Sequence, residues 1–193
     1  MRGKLEQAQM KTHDIVYLSL FAAFIAALGV VPPLVTPLAG GVPMTAQSMG
    51  AMIAGGVLGA KRGALALSLF LLLVGIGFPL LAGGRGGLGV LVGPAGGFYV
   101  GWVIAAWVVG RLTRLKQGVL RFSAAFSAAI VGGIVALYPL GILWLSFSTS
   151  LSLAQAALYS LTFVPGDVIK AAAAAKTIVL IAQRSPQHLM EQG

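Results

Sequence analysis

Long apolar stretches, each near the length a helix needs to cross a bilayer, divide this chain and leave most of its basic residues to the short segments between them. A spanning helix takes about 20 predominantly apolar residues, with roughly 17 to 25 tolerated. Six stretches reach or approach that length: Ile15 to Val31, Ala46 to Gly59, Gly63 to Leu81, Pro94 to Leu112, Leu120 to Leu145 and Pro165 to Gln183. The second is short, so it must tilt, be covered by neighbours or extend into the loop before it. Composition agrees, since 58% of the 193 residues are hydrophobic and 9% are charged, too little polar surface for a water-soluble domain. The expected fold is an all-α integral membrane protein, a six-transmembrane-helix bundle forming a single domain over residues 1–193.

Proline and charge set the boundaries and the orientation. Pro32, Pro33, Pro37 and Pro43 break the chain after the first span, Pro79 falls near the end of the third, and Pro94 and Pro165 suit first helical turns. The stretch LSLAQAALYSLTF before the last span is apolar but too short to cross, and reads as an interfacial or re-entrant helix. Arg2, Lys4 and Lys11 precede the first span, Lys61 and Arg62 follow the second, Arg111, Arg114, Lys116 and Arg121 separate the fourth from the fifth, and Lys176 and Arg184 close the sixth. Every second loop is basic, which places residues 1–14 and 184–193 in the cytoplasm as polar tails. The outer loops, roughly 32–45, 82–93 and 146–164, carry one charge, Arg85, and Lys170 is the other basic residue on that side. The first apolar run has no small-residue cleavage site, so it reads as a retained span rather than a signal peptide.

Several functions are excluded at this level. The net charge of +9 is spread between apolar runs rather than gathered into a basic stripe with aromatics, which argues against nucleic acid. Without cysteine there is no thiolate nucleophile or thiolate metal site, and His13 and His188 lie in polar tails with no ligand-like neighbours, so no metal is expected. Gly84, Gly86 and Gly89 satisfy GxGxxG, but no strand precedes them, and no GxxxxGK[ST] sequence occurs. If ATP powers this protein, another subunit binds it.

The polar residues within the apolar chain are the candidates for chemistry. In Pro165-Gly166-Asp167-Val168-Ile169-Lys170, Asp167 and Lys170 stand three apart on one helix face and offer a carboxylate acceptor and an ammonium donor to one small volume. A carboxylate at membrane depth costs roughly 2.5 to 3.5 kcal/mol on insertion scales and usually marks function, although a self-neutralising ion pair capping a helix is the alternative. The segment LLAGGRGGLGVLVGPAGGFYVGW is the second candidate: glycines such as Gly83 and Gly84 allow backbone to approach a ligand, and Arg85 can hold a carboxylate by two hydrogen bonds. Arg85 could instead meet lipid phosphate. Gln47 in GVPMTAQSMG, at the start of the second span, and Tyr138 beside Pro139, within the fifth, add polar atoms that could serve a ligand, although burial with a backbone hydrogen bond is the favoured explanation for each. Gly93, Gly97 and Gly101, like Gly55 and Gly59, recur every fourth residue and read as close helix-packing faces.

Taken in order, GVPMTAQSMGAMIAGGVLG, GFPLLAGGRGGLGVLVGPAGGFYVGW and VPGDVIKA resemble the BioY family, the biotin-specific S components of energy-coupling factor transporters. The resemblance covers nearly the whole chain. It implies a six-helix bundle of the S-component type with an outward-facing pocket under extracellular loops, in the bacterial plasma membrane. It further implies that Asp167 and Lys170 match the family's biotin-contacting aspartate and lysine, that Arg85 holds the polar position of the glycine loop, and that no cofactor is bound by this chain. The implied partners are a transmembrane coupling protein and paired ATPases, which use ATP to drive uptake. Small residues on the first helix would contact the coupling protein; Ala22 and Ala26 have the spacing, as do Ala23 and Ala27. An S component for another vitamin keeps the architecture and changes the ligand. A membrane enzyme using Asp167 and Lys170 as acid and base lacks a nucleophile, base and orienting group.

The alternating basic loops make the topology testable. Cysteines introduced at Gly40, Arg85 and Ser148 are expected to react with an impermeant thiol reagent from outside, and one at Gln117 is not. Labelling at position 117 in sealed, correctly oriented cells would overturn the assignment.

Overall fold

The computed structural model describes residues 12–35, 42–114 and 120–184, and every regular element in these segments is helical. Helix α1 covers Thr12–Leu28, α2 Gln47–Gly75, α3 Leu88–Val92, α4 Gly96–Leu112, α5 Phe122–Ser148, α6 Leu153–Leu161 and α7 Val164–Arg184. Arg2, Lys4, Lys11, Pro37, Lys116, the positions Gly40 and Gln117, and most of both tails lie outside the described residues.

The second and third expected spans are the two limbs of α2. At Gly59 the backbone takes φ 79° and ψ 177°, and the chain turns back on itself. A Cβ at Gly63 would lie 2.8 Å from the Gly55 Cα, a proximity that no straight helix allows between residues eight apart in sequence. Arg62, just past the turn, pairs with Asp14 at the start of α1 at 2.8 Å, which ties the turn to the first helix. The second limb ends at Gly75, short of the expected Leu81, because Ile76 to Leu81 leave helical geometry and lead into the glycine loop. That loop also holds the five-residue α3, an element the sequence pattern did not indicate.

The last two elements follow the expected boundaries closely. The apolar segment before the final span is α6, with a capping box in which Ser152 and Gln155 satisfy each other's backbone N–H. Pro165 falls in the first turn of α7, where a missing N–H costs nothing. Helix α5 contains a π-helical segment, Val131–Ala136, at the Gly132-Gly133 pair. A Cβ at Gly132 would meet the Ala105 carbonyl at 2.8 Å, so the widened turn rests directly on α4.

Two features locate the bundle in lipid. Ile169, Leu72, Val135 and Leu143 are large apolar residues pointing outward from three different helices, a surface suited to acyl chains rather than water. Inside, α2 packs chiefly on α4, with Gly55 against the Ala106 backbone, while Gly97 and Gly101 admit Trp144 and Leu137 of α5. Close backbone approach replaces the hydrophobic effect as the source of helix association in a bilayer. Gly93 stands outside α4 and instead offers its carbonyl to the Trp144 indole at 2.9 Å.

The Gly59 conformation lies in a region open essentially to glycine alone. Gly59→Ala is expected to destabilise the protein by about 1 to 3 kcal/mol, read as a lower thermal midpoint in detergent. Gly89→Ala, where an added Cβ meets nothing within 4 Å, should leave the midpoint unchanged.

Candidate ligand-binding site

At the end of the bundle where α2, α4 and α7 begin, a cavity opens between α2, α4, α5, α7 and the chain before α2. The space between its walls, taken together with its open mouth, is about 440 Å³. Aromatic side chains form one wall: Phe98 stands edge-on to Phe163 with ring centroids 5.8 Å apart, and edge-on to Tyr138 at 6.3 Å.

The opposite wall is charged. Asp167 reaches the cavity because it is the fourth residue of α7, and it is buried to 7% exposure. Tyr138 donates its hydroxyl to Asp167 Oδ2 at 2.7 Å, and Lys170 donates Nζ to Asp167 Oδ1 at 2.7 Å. Lys170 Nζ also donates to Ser48 Oγ at 3.2 Å, and the Ser48 hydroxyl in turn donates to the Thr45 carbonyl at 3.4 Å. The pair is neutral as a whole, which is what makes a buried carboxylate tolerable. The network is nevertheless unfinished: a carboxylate offers about four lone-pair sites and an ammonium three protons, so each keeps capacity for a ligand.

The remaining candidates separate by position. Arg85 closes a tight turn by mutual backbone bonds with Leu81, donates Nε to the Ala82 carbonyl at 3.0 Å and reaches the Tyr99 hydroxyl at 3.4 Å. It does not line the cavity itself, but Tyr99 does. Gly83 and Gly84 sit in that turn with φ of 80° and 68° and are exposed, so their role is to let the chain reverse. Gln47 is completely buried, its amide committed to backbone: Nε2 donates to the Ile25 and Leu80 carbonyls at 3.0 and 2.9 Å, and Oε1 accepts from Ala82 N–H at 2.9 Å. That places Gln47 under the glycine loop as its tether, with both amide protons spent on backbone. Ala22 is likewise buried, at 4% exposure, and Ala26 packs against the core, whereas Ala23 and Ala27 are exposed. Of the two pairs, Ala23 and Ala27 therefore stand on the outward surface of α1.

Sequence reasoning passed over Ser48, Thr45, Phe98, Tyr99, Trp102 and Phe163, all of which line the cavity. Tyr99 and Phe98 stand in the glycine-rich segment singled out for Arg85, and Ser48 follows Gln47 directly, so proximity to those motifs was the available signal.

Comparison with known proteins gives a consistent result. The sequence matches the model of the BioY family over residues 3–187. A biotin transporter BioY of Rhizobium etli is 49% identical over 86% of this chain and 91% of its own, and one of Rhodobacter capsulatus is 45% identical over 93% and 98%. Among solved structures, the S-component for biotin from an ECF-type ABC transporter, determined at 2.1 Å, matches with a TM-score of 0.78 and 30% identity, covering 93% of this chain and 96% of that one.

The geometry around Gln47 gives a prediction independent of any ligand. Gln47→Leu orphans two carbonyls and one N–H where the glycine loop meets α1 and α2, each worth about 1 to 3 kcal/mol. Gln47→Glu retains the acceptor for Ala82 N–H alone. Thermal midpoints should fall in the order parent, Gln47→Glu, Gln47→Leu, and an unchanged midpoint for Gln47→Leu would refute the tethering role.

Proposed function

The chain belongs to the BioY family, and from that premise we propose that it is a biotin-binding S component, capturing biotin in the cavity between α2, α4, α5 and α7. Its family and relatives are transporters, and it is a membrane protein of that kind rather than an enzyme. The observation that carries the reading is the half-satisfied network of Tyr138, Asp167, Lys170 and Ser48 facing an aromatic wall.

The chemistry of the ligand matches what that network leaves free. The cyclic urea of biotin has two N–H donors and one carbonyl acceptor. Asp167 accepts from the N–H groups with its remaining lone pairs, and Lys170, with two of its protons committed, donates the third to the oxygen. Phe98, Tyr99, Trp102 and Phe163 cover the apolar rings and chain. Arg85, beside Tyr99 on the glycine loop, pairs with the carboxylate at the far end.

Uptake then requires work that this chain does not perform. A transmembrane coupling protein and its paired ATPases supply it, engaging the exposed Ala23 and Ala27 stripe of α1, where small side chains permit close helix contact. Both termini lie on the cytoplasmic side and the cavity opens outward, the orientation favoured by the alternation of basic loops.

Asp167→Asn replaces an acceptor-only oxygen by an amide nitrogen and leaves Lys170 without its counter-charge; Lys170→Met removes the donor and keeps the stem. Each is expected to weaken biotin by at least ~1.5 to 3 kcal/mol, tenfold or more, the range for hydrogen bonds to charged groups. Isothermal titration on variants shown to be monodisperse and thermally intact decides the matter. Parent-like affinity in both would reduce the pair to a structural salt bridge, and binding of a different vitamin by the parent would change the ligand.

A further inference from the structure

Trp102 lies on α4, about one helical turn beyond Phe98 and Tyr99, and lines the cavity at 5% exposure. Tyr99 stands edge-on to its ring with centroids 5.1 Å apart, and Phe70 lies tilted against it at 6.4 Å. The Nε1–H has no acceptor among the described residues, in contrast to Trp144, whose indole donates to the Gly93 carbonyl at 2.9 Å. Buried indole N–H groups are almost always satisfied, and an indole can only donate. The hydroxyls of Thr45 and Tyr99 in the same lining can rotate to suit whatever they meet; the indole cannot.

Such a donor awaits an acceptor from the ligand. Biotin carries three: the urea oxygen, the carboxylate and, weakly, the thioether sulfur. The carboxylate end belongs to the glycine loop, where Arg85 bonds Tyr99, and Trp102 is further along α4 from that loop. A urea oxygen accepts two hydrogen bonds, and Lys170 has one proton left to give it, which leaves one lone pair open. We infer that Trp102 donates its indole N–H to the urea oxygen beside Lys170, making it a specificity-determining residue that demands a carbonyl at that position. This rests on the reading of the cavity as a biotin site.

The test is isothermal titration of the full chain in detergent with biotin, an analogue whose side chain ends in a methyl group (no carboxylate and no other tail acceptor) and dethiobiotin (no sulfur). Trp102→Phe keeps an aromatic ring, and benzothienylalanine incorporated at position 102 keeps the bicyclic shape and exchanges N–H for sulfur. Both replacements should raise the Kd roughly tenfold for all three ligands, since all retain the urea oxygen. Parent-like biotin binding by the benzothienyl protein overturns the inference, because shape alone then suffices. A loss confined to ligands with a carboxylate, or to those with sulfur, also overturns it by assigning the N–H to another acceptor. Failure of the parent itself to bind biotin is a different result, which removes the biotin reading of the cavity.

Discussion

The cavity end of this bundle depends on one buried amide. Three segments leave regular structure there, the end of α1, the chain after α2 and the glycine loop, and each presents backbone groups where lipid and packed side chains exclude water. Gln47 answers three of them at once, two carbonyls and an N–H. Because it is also the first residue of α2, the loop that carries Arg85 is fixed relative to the helix that carries Ser48. The cavity walls are therefore held from behind by a residue that never faces it.

The cavity itself balances charge against burial. Asp167 and Lys170 neutralise each other within one helix, and Tyr138 and Ser48 bring in hydroxyls from two others. Such a network stabilises the apo protein only in part, since removing either charge strands the other. What it offers is directional: acceptors and donors held within one volume before a ligand arrives, so little ordering remains to be done on binding.

Charge was the most legible signal in the sequence. Asp167, Lys170 and Arg85 stand out because ionised groups are rare in apolar stretches, and all three lie at or beside the cavity. The spans were legible for the same reason, from the length of chain between charges. Aromatic residues were not, because Phe98, Trp102 and Phe163 read as lipid-compatible wherever they point. Gln47 shows the limit of that signal: polarity is visible in sequence, but whether an amide serves backbone or ligand depends on neighbours some 22 to 35 residues away. Overlapping small-residue spacings on α1 left the register open, and only packing distinguishes buried Ala22 from exposed Ala23.

The first limb of α2, from Gln47 to the reversal at Gly59, is about a dozen residues and so about 18 Å long. A hydrocarbon core is about 30 Å deep. The limb therefore covers little more than half that depth, and part of the rest falls to the non-helical chain before it, Val42 to Thr45, which also lines the cavity. Irregular backbone at membrane depth is tolerated only where protein buries it or a water-filled cavity receives it. A pocket at this end thus answers a need of the backbone as well as of a ligand.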